Sequence, residues 1–226
     1  MISIIIPTLN EATNLPSLLD RLKGEPTSHE VIVIDGGSSD DTVAMAEISG
    51  AQVIRTPPGR GRQLAAGVRA ARGDILFFLH ADSGFPEGGL RKIEEAITTA
   101  RFVGGNFRLL FDGDDGFSQW LNGFYAAIRR RGYYYGDSGV FVRRAIHDAV
   151  GGIQPIALME DYDFVRRMEV AGPTVCIENP PLVTSSRRFT GRSPLAIVAG
   201  WFTLHALFHL GVPPERLARI YNSARR

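Results

Sequence analysis

The chain has a single cysteine, Cys176, and only two lysines, Lys23 and Lys92, among its 25 basic residues. A lone cysteine excludes an intramolecular disulfide framework and a cysteine-based zinc cluster, and it fits a reducing compartment. Charge of one sign is also lacking. A formal net charge of +1 over 226 residues leaves no broad basic surface for nucleic acid. The opening Ile2–Ile6 run has no basic flank and stops at Pro7, so it reads as a buried strand, not a targeting segment. No internal repeat or low-complexity linker is present.

Long hydrophobic runs are scarce. The longest, Pro194 to Gly211, would extend roughly 27 Å as a helix, just short of a bilayer core. It suits a helix packed against the body or a second copy, or one lying on a membrane surface. With 44% hydrophobic and 22% charged residues, the chain reads as one globular domain with a sizeable core. The preference for arginine has two readings: genome bias, or guanidiniums that meet phosphates through their planar fork.

The N-terminal half alternates strand and helix. Strands are predicted at Ile2–Pro7, Glu30–Asp35, Gln52–Arg55 and Asp74–His80, each short and nearly continuous in apolar character. Between them Leu15, Leu18, Leu19 and Leu22 recur at helical spacing, as do Leu64, Val68 and Ala71, and then Leu90, Ile93 and Ile97. Asn10 or Thr13 is a candidate cap for the first helix, and the Ser39–Thr42 run for the second. This alternation predicts an α/β fold with a mostly parallel sheet, whose ligands gather at the carboxyl ends of the strands.

Those ends are polar. They carry Pro7-Thr8-Leu9-Asn10-Glu11, then Asp35-Gly36-Gly37-Ser38-Ser39-Asp40-Asp41-Thr42, then Gly59-Arg60-Gly61-Arg62-Gln63, then His80-Ala81-Asp82-Ser83. Any one of them can be a mere turn or cap. Together on one sheet edge they describe a nucleotide-diphosphate pocket, with backbone N–H groups near helix starts facing phosphates and Asp82 able to ligate a divalent cation.

The ordered set resembles the family 2 inverting glycosyltransferases of the GT-A fold, in particular small soluble bacterial-type members. The likeness runs from Ile4–Glu11 and Val33–Thr42 through Gly61, Ala65–Gly73 and His80–Asp82 to Phe141–Arg144, Gly151-Gly152 and Met159–Asp161. It implies a nucleotide-sugar donor (a UDP-sugar by family habit), a Mg²⁺ or Mn²⁺ ion, and inversion at the anomeric carbon. Carried over by position, Pro7, Thr8, Asn10, Glu11, Asp35, Gly36, Ser38, Ala81 and Asp82 would surround the donor, with Asp35 on the base. Asp82 matches the last residue of the family's DxD metal motif, but His80 replaces the first. His80 either contacts nucleotide or metal, or packs. Asp161 matches the catalytic base, with Glu160 as its orienting neighbour or an acceptor contact. Three carboxylates within Glu160–Asp163 repel one another, which would lift one pKa. Arg60, Arg62, Arg187 and Arg188 are candidates for the diphosphate, although no Gln-x-x-Arg-Trp signature accompanies Arg187 and Arg188.

The resemblance divides the single domain 1–226 into a donor half at about 1–110, an acceptor and catalytic half at about 111–190, and a helical extension at about 191–226. Phe117 to Asp137 reads as an amphipathic helix and turn, with Trp120 and Phe124 expected in the core. A cytoplasmic enzyme is expected, touching the inner membrane or a second copy through the C-terminal helix and taking an acceptor the sequence does not specify. Two other readings are a sugar-1-phosphate nucleotidyltransferase and a noncatalytic nucleotide-sugar-binding protein. The first would want a Gly-rich basic loop after the first strand, and the second has no use for Asp161.

Overall fold

The computed structural model describes residues 1–189 and 191–223, without the side chain of Arg188. The expected alternation is present. In chain order the elements are β1 (Ile2–Thr8), α1 (Leu15–Lys23), β2 (His29–Asp35), α2 (Thr42–Ile48), β3 (Gln52–Arg55), α3 (Arg60–Ala70), β4 (Ile75–Phe78), β5 (Ser83–Gly84) and α4 (Gly89–Thr98). Then come β6 (Gly104–Phe111), α5 (Gly116–Arg129), β7 (Val140–Arg143), α6 (Arg144–Ala149), α7 (Glu160–Ala171), β8 (Thr174–Thr184), α8 (Pro194–His209) and α9 (Pro214–Ser223).

All eight strands form one sheet in the order β3-β2-β1-β4-β7-β6-β8-β5. The first four run parallel, and β7 joins β4 antiparallel. Strand β1 is buried on both faces. Ile2, Ile4 and Ile6 pack with the leucines of α1 and with Leu90 and Ile93 of α4. Ile5 points the other way, to Ile32, Ile34, Leu64, Phe78 and Phe164. A buried side chain of this size contributes about 1.5–3 kcal/mol, so both layers hold the sheet firmly. Gly67 lets α3 lie directly on the sheet, since a Cβ there would stand 2.4 Å from Ile5 Cγ2.

Two expectations are corrected. Asn10 and Thr13 do not cap α1; Asn14 holds that position without a side-chain cap, and Pro16 in the first turn needs no N–H there. Asn10 has φ 56° and uses its side chain across the strand ends instead. Trp120 is 46% exposed, stacked between Phe117 and Phe124 and outside the core. The apolar C-terminal run does form one helix, α8, started by Pro194 and capped by Ser193, whose Oγ accepts from Ala196 N at 3.5 Å. Among the described residues no helix is long and apolar enough to cross a membrane.

Candidate active site

The carboxyl ends of β1 and β2 are joined by hydrogen bonds before any ligand is considered. The amide of Gln63 on α3 donates to Thr8 O and Ile34 O, both at 2.8 Å, and Gly36 N donates to Thr8 O at 2.9 Å. Asp35 is buried and accepts from Gly37 N at 3.0 Å and Ser38 N at 3.1 Å, which folds the loop back on itself. Asn10 N donates to Ser38 Oγ at 2.9 Å, and Asn10 Oδ1 accepts from Ser39 N at 2.8 Å. Glu11 N donates to Thr42 Oγ1 at 2.8 Å. Pro7, Thr8, Asn10, Glu11, Asp35, Gly36 and Ser38 are thus one connected rim. Gln63 is a scaffold residue that sequence reasoning passed over; a polar amide on the sheet-facing side of α3 was the signal.

Pairing of β5 with the end of β8, Ser83 opposite Thr184, brings the segment after β8 beside Asp82. There Arg187 Nη2 lies 3.2 Å from both carboxylate oxygens of Glu11 and 3.7 Å from Asp82 Oδ2. Asn14 Nδ2 also donates to Glu11, at 2.6 Å. Ala81 is buried beneath this edge and Arg62 is exposed on α3. Arg188 was a further candidate, but its side chain lies outside the described residues.

Glu160 and Asp161 open α7, where the helix dipole favours negative charge. Both are bound by Arg60 from the start of α3. Its Nε makes a very short contact with Glu160 Oε1, and its Nη2 lies 3.0 Å from Asp161 Oδ2. Gly136 N donates to Asp161 Oδ2 at 2.9 Å and Tyr162 N to Oδ1 at 2.8 Å. Arg60 therefore lies against the Glu160–Asp161 pair. Gly136 is needed for this approach: a Cβ on it would stand 3.2 Å from Asp161 Oδ2 and from His80 Nε2 alike.

Burial works to raise the pKa of Asp161, but Arg60 and the two backbone N–H groups outweigh it and hold the carboxyl below its ordinary value. Glu160 goes the other way, raised by burial and, to a lesser degree, by Asp161 despite Arg60. The carboxyl lifted within the acidic run is thus Glu160. Asp163 is ion-paired to Arg167, 2.6 Å away. Burial and Arg60 hold His80 below the usual imidazole range, against the pull of Asp137, Asp82 and Asp161.

Among the described residues no group of three or more His, Cys, Asp or Glu side chains stands ready to hold a metal ion. Hard divalent cations take oxygen ligands and, beside nucleotides, draw several from phosphates and water. A single accessible carboxylate, Asp82, therefore fits an ion that arrives with a diphosphate. The ring of His80 stands in the wall beside Asp161 and Gly136.

A cavity of about 630 Å³ opens from Asp161 toward α5, α8 and α9. Asp137, Tyr135 and Tyr162 line it with Phe124, Trp201 and His205. The cavity draws on separate elements from Arg60 to Tyr221.

A family model described as glycosyl transferase family 2 matches residues 3–153. An uncharacterized glycosyltransferase of Mycobacterium tuberculosis is 37% identical over 93 residues, which span 41% of this chain and 41% of that relative. A PGL/p-HBAD biosynthesis glycosyltransferase of Mycobacterium bovis is 30% identical over 249 aligned positions, covering 100% of this chain and 86% of the relative. In shape, the chain is similar to the mannosyltransferase PcManGT from Pyrobaculum calidifontis, solved with GDP-Man and Mn²⁺ (TM-score 0.67, 18% identity, 90% of this chain and 61% of that one). It is also similar to glucosyl-3-phosphoglycerate synthase from Mycobacterium tuberculosis, solved with Mn²⁺ and UDP-Glc (TM-score 0.64, 19% identity, 94% and 80%). At these identities the likeness establishes the fold, which is the GT-A fold the motifs implied.

Proposed function

The chain belongs to glycosyl transferase family 2, and from that premise we propose that it moves a sugar from a nucleotide-diphosphate donor to a hydroxyl acceptor with inversion, Asp161 serving as general base. The observation that carries this reading is the arrangement of Asp161: ionised, at a helix start, facing a large cavity, and joined through Arg60 and Glu160 to the donor edge of the sheet. In-line attack on the anomeric carbon needs a base on the face opposite the leaving group. Asp161 takes the acceptor proton as the new C–O bond forms, and the electron pair of the broken bond leaves on the nucleoside diphosphate. Arg60 keeps Asp161 ionised at the cost of basicity. A diphosphate that draws the guanidinium toward itself relieves that cost. Glu160 orients Arg60.

On the donor side, Pro7, Thr8, Asn10, Glu11, Gly36 and Ser38 shape the nucleoside pocket, with Asp35 holding its loop. Arg187 and Asp82 border the diphosphate. A Mg²⁺ or Mn²⁺ ion held by Asp82 and the phosphates would neutralise leaving-group charge. On this reading residues at about 1–110 bind the donor, those at about 111–190 supply catalysis and acceptor contacts, and α8 and α9 border the acceptor side. A UDP-sugar or GDP-sugar suits this pocket, since the similar mannosyltransferase and synthase structures hold GDP-Man and UDP-Glc.

The test is thermal unfolding with UDP-glucose and with GDP-mannose, each with and without Mn²⁺. A donor at about 100 times its Kd stabilises the fold by about 2.7 kcal/mol. Asp82→Ala should weaken metal-dependent donor binding roughly 10- to 100-fold, the loss of one charge-assisted contact. A shift that ignores both metal and Asp82 would remove the metal assignment, and no shift with either donor would remove the donor assignment. Release of nucleoside diphosphate, in place of pyrophosphate, separates this reading from a nucleotidyltransferase.

A further inference from the structure

The large cavity carries charge mainly where it meets Asp161. Arg60 is ion-paired to Asp161, Gly136 is bonded to it, and Asp137 follows directly in the chain. Among the described residues the remaining charged lining group is Arg192, on the stretch that leads into α8. Elsewhere the wall is Phe124, Ile128, Phe189, Ile197, Trp201 and Leu204.

The other polar lining groups are largely occupied with one another. Tyr135 Oη pairs with His205 Nε2 at 3.0 Å, Tyr162 Oη with His209 Nε2 at 2.9 Å, and Tyr125 Oη donates to Asp137 Oδ2 at 3.3 Å. A polyol acceptor would need several outward donors and acceptors, because each buried hydroxyl left unpaired costs about 1–3 kcal/mol. Walls whose polar atoms satisfy each other offer rings and methyls instead. A volume of about 630 Å³ lies within the usual size of sites that enclose an apolar ligand.

We propose that the acceptor is an alcohol whose hydroxyl is borne by an apolar body, either an aryl ring system or an aliphatic chain, with that body lodged in the aromatic cavity. The inference rests on the glycosyltransfer reading. The acceptor oxygen forms its bond to the anomeric carbon, its proton passes to Asp161, and the bond from that carbon to the diphosphate oxygen breaks with its electron pair on the departing nucleoside diphosphate. The donor nucleotide sugar is the sole co-reactant. Two sources share this chemistry: an alcohol dissolved in water and one held in a lipid bilayer. The neighbourhood of α8 suits either, since Leu195, Phe202 and Leu210 are 84%, 66% and 80% exposed.

Gly200 gives the test its variant. It lines the cavity on α8, and a Cβ there meets nothing within 4 Å, so Gly200→Phe fills space without a clash at Cβ and removes a helical glycine. Binding of 2-naphthol to the full chain is measured by calorimetry, and farnesol in phosphatidylcholine vesicles by co-sedimentation against vesicles without it. Methyl glucoside and glycerol 3-phosphate are the polar controls. Saturable binding of either apolar alcohol is expected, weakened at least tenfold in a Gly200→Phe protein that still unfolds cooperatively; which probe binds names the source. Failure of both apolar probes, preference for the polar ones, or unchanged affinity in Gly200→Phe overturns the proposal. The donor thermal shift is read separately. Donor stabilisation with no apolar binding removes this inference alone, while apolar binding without donor stabilisation removes the glycosyltransfer reading instead.

Discussion

The polar rim at the ends of β1 and β2 and the aromatic cavity that opens from Asp161 are held by different forces. At the rim, loops after β1 and β2 are fixed by directional hydrogen bonds such as Asn10 to Ser38 and Ser39, Glu11 to Thr42, and Gln63 to both strand ends. In the cavity, ring meets ring: Tyr135 stacks on Tyr162 at 6.2 Å, and Tyr162 meets His205 edge-on at 4.7 Å. Hydrogen bonds fix angle as well as distance, whereas aromatic packing mainly fixes volume. The rim can therefore discriminate by the direction of each polar atom, and the cavity by the size and apolarity of what enters.

The sharpest test of where these regions join is Asp161→Asn. It should cut transfer about 10²- to 10⁴-fold, the usual contribution of a general base, while donor affinity stays near the wild-type value. Wild-type turnover in this variant would move the base elsewhere. Next comes Arg60→Ala, which strips Glu160 of its partner at 2% side-chain exposure. Breaking a buried pair costs about 3–5 kcal/mol, and the 37% exposure of Arg60 puts the loss at the lower end, about 3 kcal/mol in urea unfolding. No loss of stability would mean the link between α3 and α7 is ornamental.

Two glycine substitutions contrast the regions directly. Gly67→Ala pushes a methyl against Ile5 and Ile34 and should destabilise by about 1–3 kcal/mol. Gly200→Ala meets no neighbour and should stabilise by roughly 0.5–1 kcal/mol through helix propensity. Equal effects of the two would erase the difference in packing claimed for them.

The smallest effect is a pH dependence. Burial holds the pKa of His147 below the ordinary 6.5, against the opposing pull of Asp148. The unfolded chain then takes up the proton first. This group's stability is fully present above about pH 6.5 and is lost as pH falls through that value toward the lower folded pKa, with a slope of at most about 1.4 kcal/mol per pH unit. His147→Gln should accordingly show a shallower loss of stability between pH 7.5 and 5.5 than wild type. An unchanged slope would dismiss His147 as the source.

The polar rim at the strand ends was legible in the sequence because each strand is followed at once by the residues it presents. Reading β1, β2 and β4 therefore also located Asn10, Asp35 and Asp82. The strand limits agree to within a residue or two, since apolar runs end where burial ends. What the sequence hid depends on contacts between distant segments. Arg60 looked like a phosphate contact because of its glycine-flanked loop, and only the tertiary fold puts it beside residues a hundred positions later. Trp120 and Phe124 share a helix face, but spacing alone does not say whether anything covers that face. The cavity had no local pattern to read, because its rings come from four separate helices, α5, α7, α8 and α9, with α7 and α9 giving one each, and from the segments between them.

Strand β8 sits between β6 and β5, although it is the last strand made. During synthesis, β6 must wait with an open edge, and the two-residue β5 beside Asp82 has no strand to join, until residues 174–184 emerge. An excised segment limited to the family match at 3–153 would keep most of the recognisable motifs and bare that edge permanently. Unpaired strand edges recruit other chains. Such a fragment should be an aggregating, incomplete unit, and for this protein the boundary of sequence recognition falls short of the boundary of autonomous folding.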